Sequence, residues 1–278
     1  MELGWLESPL FGLISGITEI LPVSSEAHKL LFLKILGAGN EPGLLKVFIH
    51  IGVLAALYYH CASHILRFLR AKRLSRIPKR KRKRPLDTKS LMDYSLLKTM
   101  LIPIILSFFA YNRISAIRTD LILVACFLLL NGLILYIPQY LPGSNKDSRM
   151  LSRVEGFLMG LGGAAGILPG ISSLGTACSV GAVCGVDKEY GLNMAYLMNL
   201  AMVIGILFLD VFSLVSVGIG YVTFTIFVQY ILAAAGAFAG AFFGISLLKR
   251  IILEKGLAPF ALYCWGVSLF TFVLNLMA

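Results

Sequence analysis

Two stretches decide the fold. Residues 16–28 read Gly16-Ile17-Thr18-Glu19-Ile20-Leu21-Pro22-Val23-Ser24-Ser25-Glu26-Ala27-His28, and residues 167–176 read Ile167-Leu168-Pro169-Gly170-Ile171-Ser172-Ser173-Leu174-Gly175-Thr176. Each interrupts a long apolar region, 8–36 in the first case and 152–186 in the second. In each, the pieces on either side of the Pro are too short to cross a bilayer, which takes about 20 apolar residues. A break inside hydrocarbon exposes backbone groups that lipid cannot satisfy, so the pieces must be buried among other helices as re-entrant hairpins. The two breaks share Ile-Leu-Pro and Ser-Ser, one early in each half of the chain. Matching broken segments in two halves point to an inverted repeat with its site near the membrane midplane.

The rest of the chain supports a membrane setting. Of its 278 residues 58% are hydrophobic and 14% charged, with mean hydropathy +0.84. That is too apolar for a soluble domain or a disordered chain. Full-length spans are expected near 44–60, 95–111, 119–138, 190–209, 221–248 and 257–277. The first Lys or Arg is Lys29, behind Glu2 and Glu7, so the N-terminus lacks the positive region of a secretory signal. The expected architecture is an all-α polytopic membrane protein, one integral domain over 1–278. It is an inverted repeat with about six spanning helices and two re-entrant helical hairpins. The first unit covers about 1–118 and the second about 150–278.

The formal charge of +11 would ordinarily raise nucleic acid as a partner. Eleven of the 25 Lys and Arg, however, fall between Arg67 and Arg84 with no acid among them, and without these the remainder balances the 14 acids. The charge therefore belongs to one segment between two spans. By the positive-inside rule this makes 61–94 a basic cytoplasmic loop. Lys146, Arg149, Lys188, Lys249, Arg250 and Lys255 then also fall inside, and both termini outside, with Arg113 and Arg118 as minor exceptions. The 67–84 run is expected to lie on anionic lipid and not on nucleic acid. The first hairpin would enter from outside and the second from inside, their tips meeting within the membrane. Five cysteines without a C-x-x-C pair imply neither a disulfide framework nor a zinc site. His60 and His64 stand at helical i, i+4 spacing and read as interfacial histidines in preference to a metal pair.

Ionisable residues inside apolar segments are functional candidates by default. The first break holds Glu19, Ser24, Ser25, Glu26, His28 and Lys29; the second holds Ser172, Ser173, Thr176 and Ser179. Broken helix ends present free N–H groups and the positive end of a helix dipole, which suits phosphate. Hydroxyls add neutral donors, and Glu19 with His28 could serve as metal ligand, acid–base group or nucleophile. Glu26 and Lys29 read as an i, i+3 pair near the outer mouth.

The first stretch resembles the signature E-G-x-T-E-[FW]-L-P-[VI]-S-S-T-G-H of the bacterial undecaprenyl-diphosphate phosphatase family, also called bacitracin-resistance proteins. Pro169-Gly170-Ile171-Ser172-Ser173-Leu174-Gly175-Thr176 resembles its second signature, P-G-x-S-R-S-G-A-T. Gly185-Val186 and Pro259 to Tyr263 are similar to further landmarks, so the likeness runs nearly end to end. The resemblance implies removal of the terminal phosphate from a polyprenyl diphosphate carrier lipid, for peptidoglycan and other envelope polymers, in the bacterial plasma (inner) membrane. It implies Mg²⁺ or Ca²⁺ as cofactor and a site opening to the outer face. Carried over position by position, Glu19, Ser25 and His28 are the expected catalytic residues, with Glu19 also a metal ligand. Ser24, Gly170, Ser172, Ser173, Gly175 and Thr176 are the expected phosphate cradle. A second copy of the chain is a further expected partner, as a homodimer. The departures from the pattern include the site itself: the first acid of its E-x-x-x-E pair is Ser15, the Thr after Ser-Ser is Glu26, the next Gly is Ala27, the Arg of the second signature is Ser173, the Ser after it is Leu174, and its final Thr falls at Ala177, with Thr176 one place early. A guanidinium clamps phosphate bidentately in a way that serine cannot. The alternative expectation is accordingly a non-catalytic relative that binds or translocates a polyprenyl phosphate lipid.

Overall fold

The computed structural model describes residues 4–39, 41–82, 84–115, 117, 119–143, 145–218 and 222–277; Lys83 and Arg118 of the charge analysis lie outside these. The described chain is α-helical: α1 Glu7–Ile20, α2 Ser25–Ile35, α3 Gly43–Ser75, α4 Thr88–Phe108, the short α5 Tyr111–Ser115, α6 Leu121–Tyr136, α7 Arg153–Ala164, α8 Ser173–Val183, α9 Lys188–Val217, α10 Phe224–Lys255 and α11 Ala258–Met277. Six of them are long and apolar enough to cross a membrane, namely α3, α4, α6 with the 3₁₀ turn that extends it to Tyr140, α9, α10 and α11. The chain is an all-α polytopic membrane protein.

The two Pro breaks separate α1 from α2 and α7 from α8. Pro22 lacks the N–H that would continue α1, and Leu21 before it is extended (φ −71°, ψ 148°). Leu168, before Pro169, is extended in the same way after a 3₁₀ turn at Ala165–Ile167. Each hairpin then restarts as an 11-residue helix, too short to span.

The expected span at 44–60 is a 33-residue helix running to Ser75. It carries the first part of the 61–94 loop, Arg67 to Arg73, as helix. Leu, Arg, Lys and Ala are strong helix formers, and nothing breaks the run before Pro78. Only about twelve residues are left to connect α3 to α4. There Arg82 folds back, its guanidinium donating to the carbonyls of Ile77 (2.7 Å) and Ser75 (3.3 Å).

Packing repeats between the halves. α1 lies along α10, and α7 lies along α4; α3 packs on α9, and α6 on α11. Exchanging the hairpins α1–α2 and α7–α8, and α3, α4, α6 for α9, α10, α11, maps these pairings onto themselves. The close approaches match as well. Gly12 and Gly16 of α1 face the carbonyls of Ala233 and Ala237 on α10, while Gly160 of α7 faces the backbone of Met100 on α4. A Cβ at any of the three would overlap a carbonyl oxygen, so glycine is what lets each hairpin seat against its neighbour. The large buried side chains, among them Phe11, Ile20, Leu57, Met100, Leu135 and Tyr196, belong to one continuous hydrophobic core.

Candidate active site between the hairpin tips

The tips touch. Gly170 N–H donates to Ser24 Oγ at 3.0 Å, and Gly175 packs against Pro22 so closely that no Cβ would fit. Asn131, fully buried on α6, ties the two together. Its Nδ2 donates to the Pro22 carbonyl (3.1 Å) and its Oδ1 accepts from the Ser172 N–H (3.0 Å). Ser24 is held at φ 68°, the one non-glycine residue with positive φ among the described residues. Gly170, at φ 114°, occupies a conformation that a side chain would disfavour. Ser172 caps α8, accepting from the Gly175 N–H at 3.2 Å.

A small polar cavity of about 40 Å³ opens beside this junction. Its walls include Glu19, Ser24, Ser25, Ser172, Ser173 and Glu26. Ser25 and Ser173 are the first residues of α2 and α8, so two helix N-termini converge on one space, a setting that favours negative charge. Thr18 of α1, His50 of α3 and Asn199 of α9 complete the polar lining. Asn199 is buried, and its Nδ2 has no hydrogen-bond partner.

Beside it is a larger cavity of about 400 Å³, lined by Lys29, Lys34, Lys46, Glu41 and Asp210, which shares Glu26 with the first. Lys29 is buried and pairs with Glu26, and its Nζ lies 3.8 Å from Glu41. Between the two spaces stands a hydrogen-bonded pair: His50 Nδ1 donates to Asp210 Oδ2 at 2.7 Å, and Asp210 Oδ1 accepts from the Tyr111 hydroxyl at 3.0 Å.

The structure thus brings Glu19, Ser24, Ser25, Ser172 and Ser173 to one cavity, and gives the other sequence candidates different places. Gly170 and Gly175 shape the junction. Thr176 is turned to the backbone, its hydroxyl within 2.7 Å of the carbonyls of both Gly162 and Ser172. Ser173 donates to the Gly163 carbonyl at 2.8 Å. Ser15, where the signature has an acid, is buried and bonds back to Phe11 O at 2.7 Å. His28 does not line the cavity. Its Nδ1 donates to the Ser24 carbonyl (2.7 Å), which makes Nε2 the acceptor from the Tyr263 hydroxyl (2.8 Å). The two rings stack with centroids 5.6 Å apart. His28 is placed to steady Ser24 in its unusual conformation.

Four residues of this region were absent from the sequence candidates: His50, Asn131, Asn199 and Asp210. All lie in long apolar helices, so the rule that marked Glu19 applies equally to His50 and Asp210. Away from the site, His60 meets Tyr196 edge-on (4.9 Å), and His64 Nδ1 accepts from Arg67 at 3.0 Å.

Among the described residues no three His, Cys, Asp or Glu side chains cluster as a metal site. The oxygen donors at the cavity include Glu19, a carboxylate that forms no direct ion pair with Lys29 among the described residues, and serine hydroxyls. That set fits a hard cation that takes one or two protein carboxylates and draws its other ligands from water and substrate phosphate.

Paired hairpins broken at Pro, six helices long and apolar enough to span a membrane, and a polar cavity at the tip junction define a class of polytopic membrane protein. The sequence matches the family described as Bacitracin resistance protein BacA over residues 9–270, and the chain belongs to that family. It is similar to the undecaprenyl-diphosphatase of Methanobrevibacter smithii, 29% identical over 273 residues and 96% of each chain. The undecaprenyl-diphosphatase of Halothermothrix orenii is 26% identical over 95% of each chain. That of Desulfatibacillum aliphaticivorans is 28% identical over 98% of this chain and 99% of its own.

Proposed function

We propose that this chain is a polyprenyl-diphosphate phosphatase, removing the terminal phosphate from a carrier lipid of the undecaprenyl diphosphate class. The observation that carries the reading is the convergence of Ser24, Ser25, Ser172 and Glu19, from two hairpins, on one cavity at two helix N-termini. Support also comes from the names of its full-length relatives. The terminal phosphate lies against the starts of α2 and α8, with the hydroxyls of Ser24 and Ser172 and the Asn199 amide as donors. Ser25 Oγ attacks the terminal phosphorus, and Glu19 takes the hydroxyl proton. The bond from that phosphorus to the bridging oxygen breaks, and the oxygen leaves with the electron pair on the lipid monophosphate. Water then attacks the phosphoserine, freeing phosphate and restoring the Ser25 hydroxyl. Glu19 and the serine hydroxyls would hold a bound Mg²⁺ or Ca²⁺, which would neutralise charge on the transferring group. His28 acts through Ser24, as a positioning residue.

The membrane assigned is the bacterial plasma membrane, with both termini and the cavity toward the outer face. In support, His50 lies two turns from the start of α3, whereas the basic run continues from that helix's other end. The test is phosphate release from a C55 or C15 diphosphate by purified protein with Mg²⁺ or Ca²⁺. Ser25→Ala and Glu19→Ala are each expected to lose at least about 100-fold. Wild-type release no faster than theirs would sink the proposal, and lipid-phosphate transfer in proteoliposomes by that same preparation would then favour a carrier.

A further inference from the structure

The cavity poses a charge problem. It is to receive a diphosphate, and two of its lining side chains, Glu19 and Glu26, are acids. Ser173 stands where the family signature carries a guanidinium. Lys29 belongs to the adjoining cavity and is matched by Glu26 and Glu41. Among the residues that line the small cavity, His50 alone can carry a positive charge.

His50 is built for that part. Its Nδ1 donates to Asp210 Oδ2 at 2.7 Å, with both side chains buried. A buried carboxylate is costly unless a cation and hydrogen bonds compensate it. Here the compensation is the imidazole ring and the Tyr111 hydroxyl on the other oxygen (3.0 Å). With Nδ1 committed, Nε2 is the nitrogen left for the cavity, and no hydrogen bond engages it among the described residues. Asn199 precedes Asp210 by about three turns of α9, so one face of that helix supplies both the partner of His50 and an unpartnered amide donor for the same cavity.

We propose that His50, oriented by its hydrogen bond to Asp210, is the residue that binds the phosphate as a cation at this site and takes the place of the arginine that Ser173 replaces. Nε2–H makes a charge-assisted hydrogen bond to a terminal phosphate oxygen. Asp210 is a positioning residue, with Tyr111 behind it. The inference rests on the phosphatase reading for its substrate, and on geometry alone for its anion.

The decisive variants are His50→Gln, which keeps a neutral donor toward Asp210, and His50→Gln with Ser173→Arg, which returns a guanidinium from the other hairpin. The expected result is a fall in kcat/KM of about tenfold or more for His50→Gln, the loss of one charge-assisted bond, and recovery of most of it in the double variant. Asp210→Asn, which leaves the ring without its counter-charge, is expected to fall as His50→Gln does. It carries the test if the arginine variant does not fold, as judged by thermal unfolding in detergent. Binding of inorganic pyrophosphate to the same full-length proteins is measured by calorimetry in parallel. Binding weakened about tenfold in His50→Gln, and recovered in the double variant, supports the inference even if no protein releases phosphate. In that case only the phosphatase reading falls. Folded His50→Gln and Asp210→Asn that match wild type in pyrophosphate affinity overturn the inference, whatever the turnover.

Discussion

Ser24 and Asn131 set the geometry at the residue scale. A serine at φ 68° costs about 1–3 kcal/mol unless its surroundings hold it. Here Gly170 donates to its hydroxyl and His28 to its carbonyl. Asn131 makes the matching connection from α6, satisfying the Pro22 carbonyl and the Ser172 N–H at once. Asn131→Leu keeps the volume, leaves the buried Ser172 N–H unpaired at a cost of about 1–3 kcal/mol, and leaves the Pro22 carbonyl only the long contact from the Cys264 thiol (3.7 Å). We expect a lower unfolding temperature in detergent and a parallel loss of phosphate release; an unchanged melting curve would show that the tips hold without it. The serines, Glu19 and the two Pro breaks were legible in the sequence because such residues are expensive in an apolar helix. The contacts of His28 were not. Its spacing in the motif matches a site residue, but which way its ring points is decided by Tyr263, 235 positions away.

Helix packing is set by glycine and by caps. The α1–α10 contact depends on Gly16, where an added Cβ would meet the Ala237 carbonyl. Gly16→Val must therefore push α1 off α10, and we expect a cost of about 1–3 kcal/mol. It should show as early unfolding in detergent and as reduced activity, because Glu19 lies one turn further along the same helix. Wild-type stability in this variant would mean that the hairpin is not seated as described. At the start of α4, Asp87 accepts from the Ser90 amide (3.0 Å) and hydroxyl (2.6 Å). The Ser90 hydroxyl, then its amide, hold the Asp87 carboxyl below the usual value of 3.8. The folded value being the lower one, the cap is fully present above that pH and is lost as pH falls through the folded value. Asp87→Ala is expected to cost about 1 kcal/mol at neutral pH. In thermal melts its difference from wild type should shrink toward zero at the acid end; a gap independent of pH would place the effect elsewhere. The helices and their breaks followed from hydropathy and Pro. The length of α3 did not, because hydropathy locates the bilayer and the helix continues beyond it.

For the molecule as a whole, the basic run and the cavity lie toward opposite ends of α3. The described Lys and Arg from Arg67 to Arg84 are mostly exposed, apart from Lys72, which contacts Tyr94, and Arg82, which folds back on the chain. Replacing the run with Gln and Ser is expected to randomise insertion and to abolish binding to vesicles containing anionic lipid. Cysteine labelling of the 76–87 connection from each side of the membrane reads the first, and vesicle co-sedimentation of a peptide spanning 67–84 reads the second. Unaltered labelling together with unaltered co-sedimentation would remove the loop as the source of orientation. The surplus charge thus lies away from the cavity, whose own charged side chains are few.

The sequence by itself determined the elements: six apolar spans, two hairpins broken at Pro22 and Pro169, a repeat between the halves and one basic segment. Each follows from a local cost, either of polar groups in hydrocarbon or of helix without a backbone N–H, and a local cost can be read residue by residue. Only the tertiary structure decided which polar groups meet. It set Ser24 against Gly170, Asn131 between both tips, His28 on Tyr263 and His50 on Asp210. Those pairings join residues 41 to 235 positions apart. Burial makes an unpartnered polar atom costly, but it does not name the partner; that choice belongs to the packing of the helices.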